Sequence, residues 1–167
     1  MRIRIASPMR FDSIVDGVGL RCVIWTQGCR HHCEGCHNPQ THDVNAGNEV
    51  DTQELIECIK NSKLQQGITL SGGEPFLQSE ALLEVVTAIK PEGFDVWAYS
   101  GFRFEELLQN SQQKALLKEV DVLVDGKFEA EYKQYGLRFR GSSNQRIIDV
   151  QKSLKQHKII ELDEKNI

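Results

Sequence analysis

Long apolar runs are absent from this sequence. No stretch approaches the roughly 20 consecutive apolar residues of a membrane-spanning helix, and the first residues (MRIRIA) lack the apolar core of a signal peptide. Low-complexity segments are absent too, and the composition of 40% hydrophobic and 26% charged residues is that of an ordinary folded domain. We therefore expect a folded protein that is neither secreted nor embedded in a membrane.

Cysteine is scarce, and an excess of basic residues is missing. The chain has five cysteines, an odd number, of which three lie within residues 29–36, a pattern that does not favour a disulfide framework. Reduced thiols that bind a metal explain this cluster better and place the protein in the cytoplasm. The net charge is -4. Because nucleic-acid binders need clustered Lys and Arg to replace phosphate counterions, we expect no DNA or RNA partner.

The length of 167 residues favours one domain. A complete eight-fold α/β barrel typically takes about 250 residues, so a closed barrel of that type is excluded. We treat residues 1–167 as a single domain, in which residues 151–167 form a tail without a predicted structure.

Strand and helix patterns alternate along the chain. Segments rich in strand-forming residues lie near 2–7, 20–26, 67–71, 94–99, 120–124 and 146–150. Apolar residues recur at helical spacing near 54–62 and 79–89, and a third helix is predicted for residues 105–117. Asp51 with Glu54 resembles a capping box, and Ser79 is a predicted N-cap. Helices that connect strands imply parallel pairing, so the pattern predicts a barrel-like or open α/β sheet.

Four of these strands run directly into loops with glycine and polar residues. The loops are residues 27–29, 72–75, 100–102 and 125–127. The carboxyl ends of parallel strands lie on one side of a sheet, where α/β proteins place their active sites. Glycines also end strands without any functional role. Four such loops favour a common functional site over that interpretation.

Cys29, Cys33 and Cys36 follow the second strand with the spacing C-x3-C-x2-C. Thiolates suit iron-sulfur clusters and zinc, and three ligands on a four-iron cluster would leave one iron open. The alternative is a structural zinc with a histidine as fourth ligand. The candidate histidines are His31, His32, His37 and His42. Cys22 lies in a strand and Cys58 on a helix, so we interpret both as packed thiols.

Two further motifs carry polar groups. Gly72, Gly73 and Glu74 offer close backbone approach and a carboxylate, which suit an ammonium group, although a turn with a solvated glutamate explains them equally well. Asp125 and Lys127 offer an acid and a base, with a surface salt bridge as the alternative. The polar loop 140–146 suits a carboxylate or a partner surface.

Together these motifs resemble the radical S-adenosylmethionine (SAM) superfamily, and specifically its glycyl-radical-activating branch. The resemblance rests on residues 15–21 (VDGVGLR) and on the glycine, cysteines and proline within residues 28–39. Residues 125–128 (DGKF) and 140–145 (RGSSNQ) are similar to the activases of anaerobic (class III) ribonucleoside-triphosphate reductase. The resemblance covers about residues 8–150.

The resemblance implies a cofactor pair and its ligands. Cys29, Cys33 and Cys36 would bind a 4Fe-4S cluster, whose open iron would be chelated by SAM. SAM contacts are implied for six residues: Gly72, Gly73, Glu74, Ser100, Asp125 and Lys127. No further catalytic residue is assigned. The short length then favours an incomplete, TIM-like barrel of parallel strands with helices outside, open on one side for a macromolecular substrate.

The implied reaction is the activation of a protein. One electron from the reduced cluster would cleave SAM to methionine and a 5'-deoxyadenosyl radical. This radical would take a hydrogen atom from a backbone glycine of the large reductase subunit. A low-potential donor such as flavodoxin would supply the electron.

Two departures and three alternatives accompany this interpretation. Gly35 stands where many superfamily members have an aromatic residue, as is common among reductase activases. Ala98 replaces an acid with which formate-lyase activases help to bind a cation, so a monovalent cation is not expected. The alternatives are an activase of another glycyl radical enzyme such as formate lyase, a non-enzymatic zinc or iron-sulfur module, and a small-molecule radical SAM enzyme, for instance one that builds a deazapurine.

Overall fold

Eight strands form one sheet, and five α-helices connect or cover them. The computed structural model describes residues 1–167. The strands are β1 Arg2–Ile5, β2 Arg10–Ser13, β3 Arg21–Thr26, β4 Asn48–Asp51, β5 Gly67–Gly72, β6 Asp95–Ser100, β7 Val122–Asp125 and β8 Arg146–Asp149. The helices are α1 Thr52–Asn61, α2 Ser79–Ile89, α3 Phe104–Leu107, α4 Ser111–Leu117 and α5 Val150–Gln156. None of these helices has the length and apolar content to cross a membrane.

Parallel strands occupy the middle of the sheet. The order is β4-β1-β3-β5-β6-β7-β8, with β2 paired to β3 beside this path. β3, β5, β6 and β7 are parallel neighbours, as the alternating pattern predicts. β1, β2, β4 and β8 pair antiparallel with their neighbours. The result is a mixed α/β sheet that is not closed.

The antiparallel β8 corrects the expectation that the whole sheet is parallel. The connection from β7 to β8 contains only a short 3-10 turn, Ala130–Tyr132, and no α-helix. A parallel strand needs a crossover connection, which is usually an α-helix. Without one, the chain returns along the edge of β7 in the opposite direction.

The two faces of the sheet have different cores. The larger core contains 26 buried residues, among them Leu55 and Ile59 of α1 and Leu82 and Val86 of α2. On the other face, Trp97, Val124 and Ile147 form a small cluster. Side chains alternate between the faces of a strand, so Val96 and Ala98 join the large core while Trp97 points away from it.

Three local predictions need correction. The predicted helix 105–117 is two helices, because Asn110 begins α4 by accepting hydrogen bonds from the backbone N–H groups of Gln112 and Gln113, both at 3.0 Å. Ser79 does not cap α2, since its hydroxyl donates to the carbonyl of Phe76 at 2.7 Å. Cys58 is exposed on α1, so the prediction that its thiol is packed is wrong. The tail, for which no structure was predicted, contains most of α5. Asp51 does cap α1, accepting from the N–H of Gln53 at 2.9 Å.

Candidate functional site

The loops after β3, β5, β6 and β7 line one cavity of about 620 Å³. This volume lies within the usual range of small-molecule sites. Six of the nine residues predicted for the site line it: Cys29, Cys33, Cys36, Gly72, Gly73 and Ser100. Glu74, Asp125 and Lys127 are not part of its lining.

Residues 28–42 form a loop that carries Cys29, Cys33 and Cys36, which we call the cysteine loop. It leaves the sheet after β3 and returns to the end of that strand. The N–H of Gly28 donates to the carbonyl of Thr41 at 2.8 Å, and the N–H of Cys29 donates to that of His42 at 3.1 Å. These two bonds close the base of the loop. Cys33 and Cys36 lie in its outer part, where the N–H of Cys36 donates to the carbonyl of Cys33 at 3.2 Å.

The three thiols are half-buried and form no disulfide. Burial raises the pKa of the thiols of Cys29 and Cys33, and the neighbouring Glu74 carboxylate raises that of Cys29 further. Without a metal these thiols therefore favour the protonated form. Because iron binds the thiolate, formation of a cluster here releases protons.

The arrangement of the cysteines suits a cluster with several irons. No group of three or more histidine, cysteine, aspartate or glutamate side chains converges closely enough to hold a single metal ion. In a 4Fe-4S cluster each cysteine binds a different iron, so the thiolates surround the cluster from separate directions. Three thiols that face one cavity from a single loop fit this requirement.

Glu74 is buried and receives four hydrogen bonds. Its Oε1 accepts from the N–H of Phe76 at 3.0 Å and from the hydroxyl of Ser100 at 2.9 Å. Its Oε2 accepts from the N–H of Gly101 at 2.8 Å and lies 2.7 Å from Nε2 of His31. With an exposure of 1%, the side chain is not the solvated glutamate of the alternative interpretation. It joins the cysteine loop to the ends of β5 and β6.

The other zinc candidates have different neighbours from His31. The rings of His32 and His42 contact each other edge to face, with centroids 5.5 Å apart. His37 packs against Phe128 with centroids 4.9 Å apart. The four histidines therefore do not gather around the cysteines.

Gly72 and Gly73 allow the strand end to pack against the cysteine loop. Gly72 has φ +101°, and a side chain there would meet the backbone of Thr26 at 2.4 Å. A side chain on Gly73 would meet the carbonyl of Gly28 at the same distance. The carbonyl oxygen of Gly73 accepts no hydrogen bond from the protein, which leaves it available to a donor in the cavity.

Asp125 is buried in a network that does not face the cavity. Arg146 donates from Nε to Oδ1 at 3.0 Å and from a terminal nitrogen to Oδ2 at 2.6 Å. The N–H of Phe104 also donates to Oδ2, at 2.7 Å. Asp125 therefore pairs with Arg146. The alternative interpretation of the sequence, a surface salt bridge between Asp125 and Lys127, is wrong. Lys127 lies close enough to Cys33 for its charge to favour the thiolate.

Sequence reasoning missed part of the cavity wall. Tyr99, Arg138 and Phe139 were missed and line it beside Arg140 and Gly141, which belong to the polar loop noted in the sequence. Tyr99 is hidden in a predicted strand, where no motif marks it, and burial raises the pKa of its phenol. Phe139 adopts φ +66°, a left-handed conformation. The sequence does not indicate it, because phenylalanine is not a typical turn residue.

The fold and the cavity define a class of protein, namely an α/β domain with a loop of three cysteines at the carboxyl ends of its parallel strands. The chain matches the family described as a 4Fe-4S single cluster domain over residues 15–148. This match confirms the predicted cluster over the zinc alternative.

Curated relatives narrow the family. An anaerobic ribonucleoside-triphosphate reductase-activating protein of Haemophilus influenzae is 39% identical over 140 residues, which cover 79% of this chain and 89% of the relative. Proteins with the same name are 38% identical in Escherichia coli K12, with 79% and 90% covered, and 37% identical in Enterobacteria phage T4, with 83% and 93% covered. The chain belongs to this family of activating proteins, as its motifs indicate, and SAM is its second cofactor.

A solved structure supports the fold. The crystal structure of QueE from Escherichia coli has a TM-score of 0.51, covers 60% of this chain and is itself covered to 53%. Since the identity is 18%, the likeness concerns the fold alone.

Proposed function

We propose that this protein is a radical SAM activase that generates a glycyl radical on anaerobic ribonucleoside-triphosphate reductase. One observation carries the proposal: the three thiols of the cysteine loop and the glycines that end β5 line the same cavity. A cluster and SAM bound there would be in contact. Together they supply one-electron cleavage of SAM, while the protein orients them and excludes water.

The residues divide into ligands and supports. Cys29, Cys33 and Cys36 bind the cluster and leave one iron open to SAM. The free carbonyl of Gly73 suits the amino group of SAM, since an ammonium donates hydrogen bonds and needs acceptors. Gly72 and Ser100 form the adjoining wall of the cavity.

Three residues act from behind this wall. Glu74 supports SAM binding by fixing Ser100 and Gly101 through hydrogen bonds, because all four of its bonds go to the protein. Asp125 fixes the end of β7 through Arg146. Lys127 contributes positive charge beside Cys33 and remains a candidate for contact with polar groups of SAM.

The open sheet suits a protein substrate. We interpret it as an incomplete, TIM-like barrel within a single domain, and its open side would admit the loop that carries the reactive glycine. The family name supports the large reductase subunit as that substrate. A low-potential donor such as flavodoxin would reduce the cluster in the cytoplasm, where cysteines stay reduced.

The decisive test is anaerobic reconstitution with iron and sulfide, followed by low-temperature electron paramagnetic resonance with and without SAM. We expect a 4Fe-4S signal that SAM perturbs, and a glycyl radical on the reductase after reduction. Cys33→Ala should abolish both, while the matched control Cys58→Ala, on the exposed face of α1, should retain both.

Each opposite result is informative. A glycyl radical on formate lyase but not on the reductase would overturn the assigned substrate. A protein that takes up zinc alone, or equal loss of activity in the two cysteine variants, would overturn the cluster site itself.

A further inference from the structure

Residues 161–167 pack against the loop 137–141, which forms one wall of the cofactor cavity. All five residues of this loop line the cavity. The packing segment begins with a single β-bridge from Glu161 to Ile148 of β8 and contains the short 3-10 turn Glu164–Asn166. It lies beyond residues 15–148, over which the chain matches its family.

Glu164 makes the central contacts between the two segments. Its Oε2 accepts a hydrogen bond from the backbone N–H of Arg138 at 2.8 Å. Its Oε1 lies 3.1 Å from a terminal nitrogen of Arg140, in an ion pair whose side chains are 15% and 20% exposed. The guanidinium of Arg138 donates in return to the carbonyls of Glu164, at 3.1 Å, and of Ile167. One carboxylate therefore contacts two residues of the wall, through the backbone of Arg138 and the guanidinium of Arg140.

The loop depends on such external contacts because its own backbone is strained. Phe139 lies between the two arginines and has φ +66°, a backbone conformation that residues other than glycine rarely adopt. Its ring packs edge-on against Trp97, with centroids 5.1 Å apart. Leu162 and Ile167 pack against the same cluster around Trp97. The segment 161–167 thus supports the loop through both apolar and ionic contacts.

Arg140 connects these contacts to the cavity. It lines the cavity, and its guanidinium also donates to the carbonyl of Gln145 at 3.1 Å. Its Nε is buried and has no hydrogen-bond partner in the protein. A buried donor without a partner gains from an acceptor on a ligand, so the position of this side chain matters for binding.

We propose that Glu164 is a positioning residue of the cofactor cavity, which fixes Arg138 and Arg140 and thereby sets the affinity for SAM. This proposal depends on the proposed function, because it takes SAM as the ligand. A loop that is fixed before binding spends more of its time in the binding conformation, and apparent affinity falls in proportion when that population falls. SAM itself need not touch Glu164.

Two measurements test the proposal on Glu164→Gln and Glu164→Ala, with Glu161→Gln as the matched control. Glu161 lies three residues away, is exposed, and its side chain contacts no cation. The first measurement is amide hydrogen exchange over residues 137–141 in the cluster-free protein. The second is the affinity of the cluster-loaded protein for SAM without reductant, together with KM and kcat for SAM cleavage.

We expect faster exchange in the loop for both Glu164 variants, with unchanged protection in β3, β5 and β6. SAM affinity should fall roughly three- to ten-fold for Glu164→Ala, as for the loss of a partly buried charged hydrogen bond, and KM should rise more than kcat falls. Glu164→Gln keeps an acceptor for Arg138 but loses the ion pair, so its effect should be smaller.

Unchanged loop exchange in both variants would overturn the proposal, as would wild-type affinity for SAM in Glu164→Ala. General loss of protection across the sheet would show a structural role only and would also overturn it. A wild-type protein that binds no SAM would overturn the proposed function, whereas binding by the wild type with equal binding by the variants would overturn only the role of Glu164.

Discussion

His31 links the cysteine loop to the strand ends that form the opposite side of the cavity. Its Nε2 lies 2.7 Å from Oε2 of Glu74, and its ring packs against Phe102 with centroids 4.5 Å apart. A side chain on Gly101 would meet this ring at 2.5 Å, so glycine is needed for the contact. One side chain thus fixes the distance between two motifs that are 43 positions apart in the sequence.

We predict that His31→Ala destabilises the cluster-free protein by about 1–3 kcal/mol, because a buried carboxylate then loses a hydrogen-bond donor. Urea unfolding at neutral pH measures the loss. His31→Gln, which keeps a donor, should recover part of it. The control is His32→Ala, since His32 is exposed and its ring lies against His42, away from Glu74. Equal losses in the two alanine variants would contradict the link.

At this scale the sequence identifies residues that line the cavity better than residues that support its wall. The spacing of cysteines and glycines in the sequence indicates that they belong to a site, because one loop must surround one cofactor. The roles of Glu74 and Asp125 could not be read in this way, since their partners His31 and Arg146 are chosen by tertiary packing. A carboxylate in a motif therefore fits the sequence equally well as a ligand or as a buried support.

Arg146 joins three elements at the end of β7. It donates two hydrogen bonds to Asp125 of β7, and its terminal nitrogens donate to both carboxylate oxygens of Glu105 in α3, at 3.1 and 2.9 Å. Hydrogen bonding to Arg146 lowers the pKa of Glu105, and the hydrogen bonds to Asp125 chiefly raise the pKa of Arg146. The first residue of β8 is thus fixed to the end of β7.

We predict that Arg146→Ala destabilises the protein by about 3 kcal/mol at neutral pH, because it leaves Asp125 buried without its cation. Part of this loss in the free energy of unfolding depends on pH. The pKa of Glu105 is lowered on folding, so its contribution is complete above its usual pKa of 4.5 and is lost as the pH falls through the lowered value. That part is small, because Glu105 is half exposed.

Urea unfolding at neutral pH and below the usual glutamate pKa measures both parts of this effect. Arg103→Ala is the control, since Arg103 approaches Glu105 only at 3.8 Å on the exposed side. A difference between wild type and Arg146→Ala that grows as the pH falls would contradict the assigned pairing.

Strands and helices could be predicted from the sequence where a single pattern determines them. The parallel strands β3, β5, β6 and β7 follow from buried apolar runs separated by helices. The break between α3 and α4 was missed although residues 109–114 (QNSQQK) contain no apolar residue, because good helix formers surround it and Asn110 was not recognised as an N-cap. The antiparallel β8 depends on the path of a long irregular connection, which periodicity does not describe.

The whole molecule assembles its cavity from parts that are distant in sequence. The cysteine loop, the ends of β5 and β6, and the loop 137–141 all line it, so no single segment forms the site. A ligand in this cavity contacts several elements at once and adds to the contacts that already join them. Binding should therefore stabilise the entire fold and not only the cysteine loop.

We predict that saturating SAM raises the thermal midpoint of the cluster-loaded protein without reductant. A ligand that binds only the native state adds about 2.7 kcal/mol at 100 times its Kd. For a domain of this size, that corresponds to roughly 5–10 °C. Cys33→Ala provides the control, because it keeps the cavity but loses a cluster ligand and with it the open iron. Equal shifts of the thermal midpoint in both proteins would show that SAM binds without the cluster. A shift in the wild type alone would show that the cluster and SAM together stabilise the whole fold.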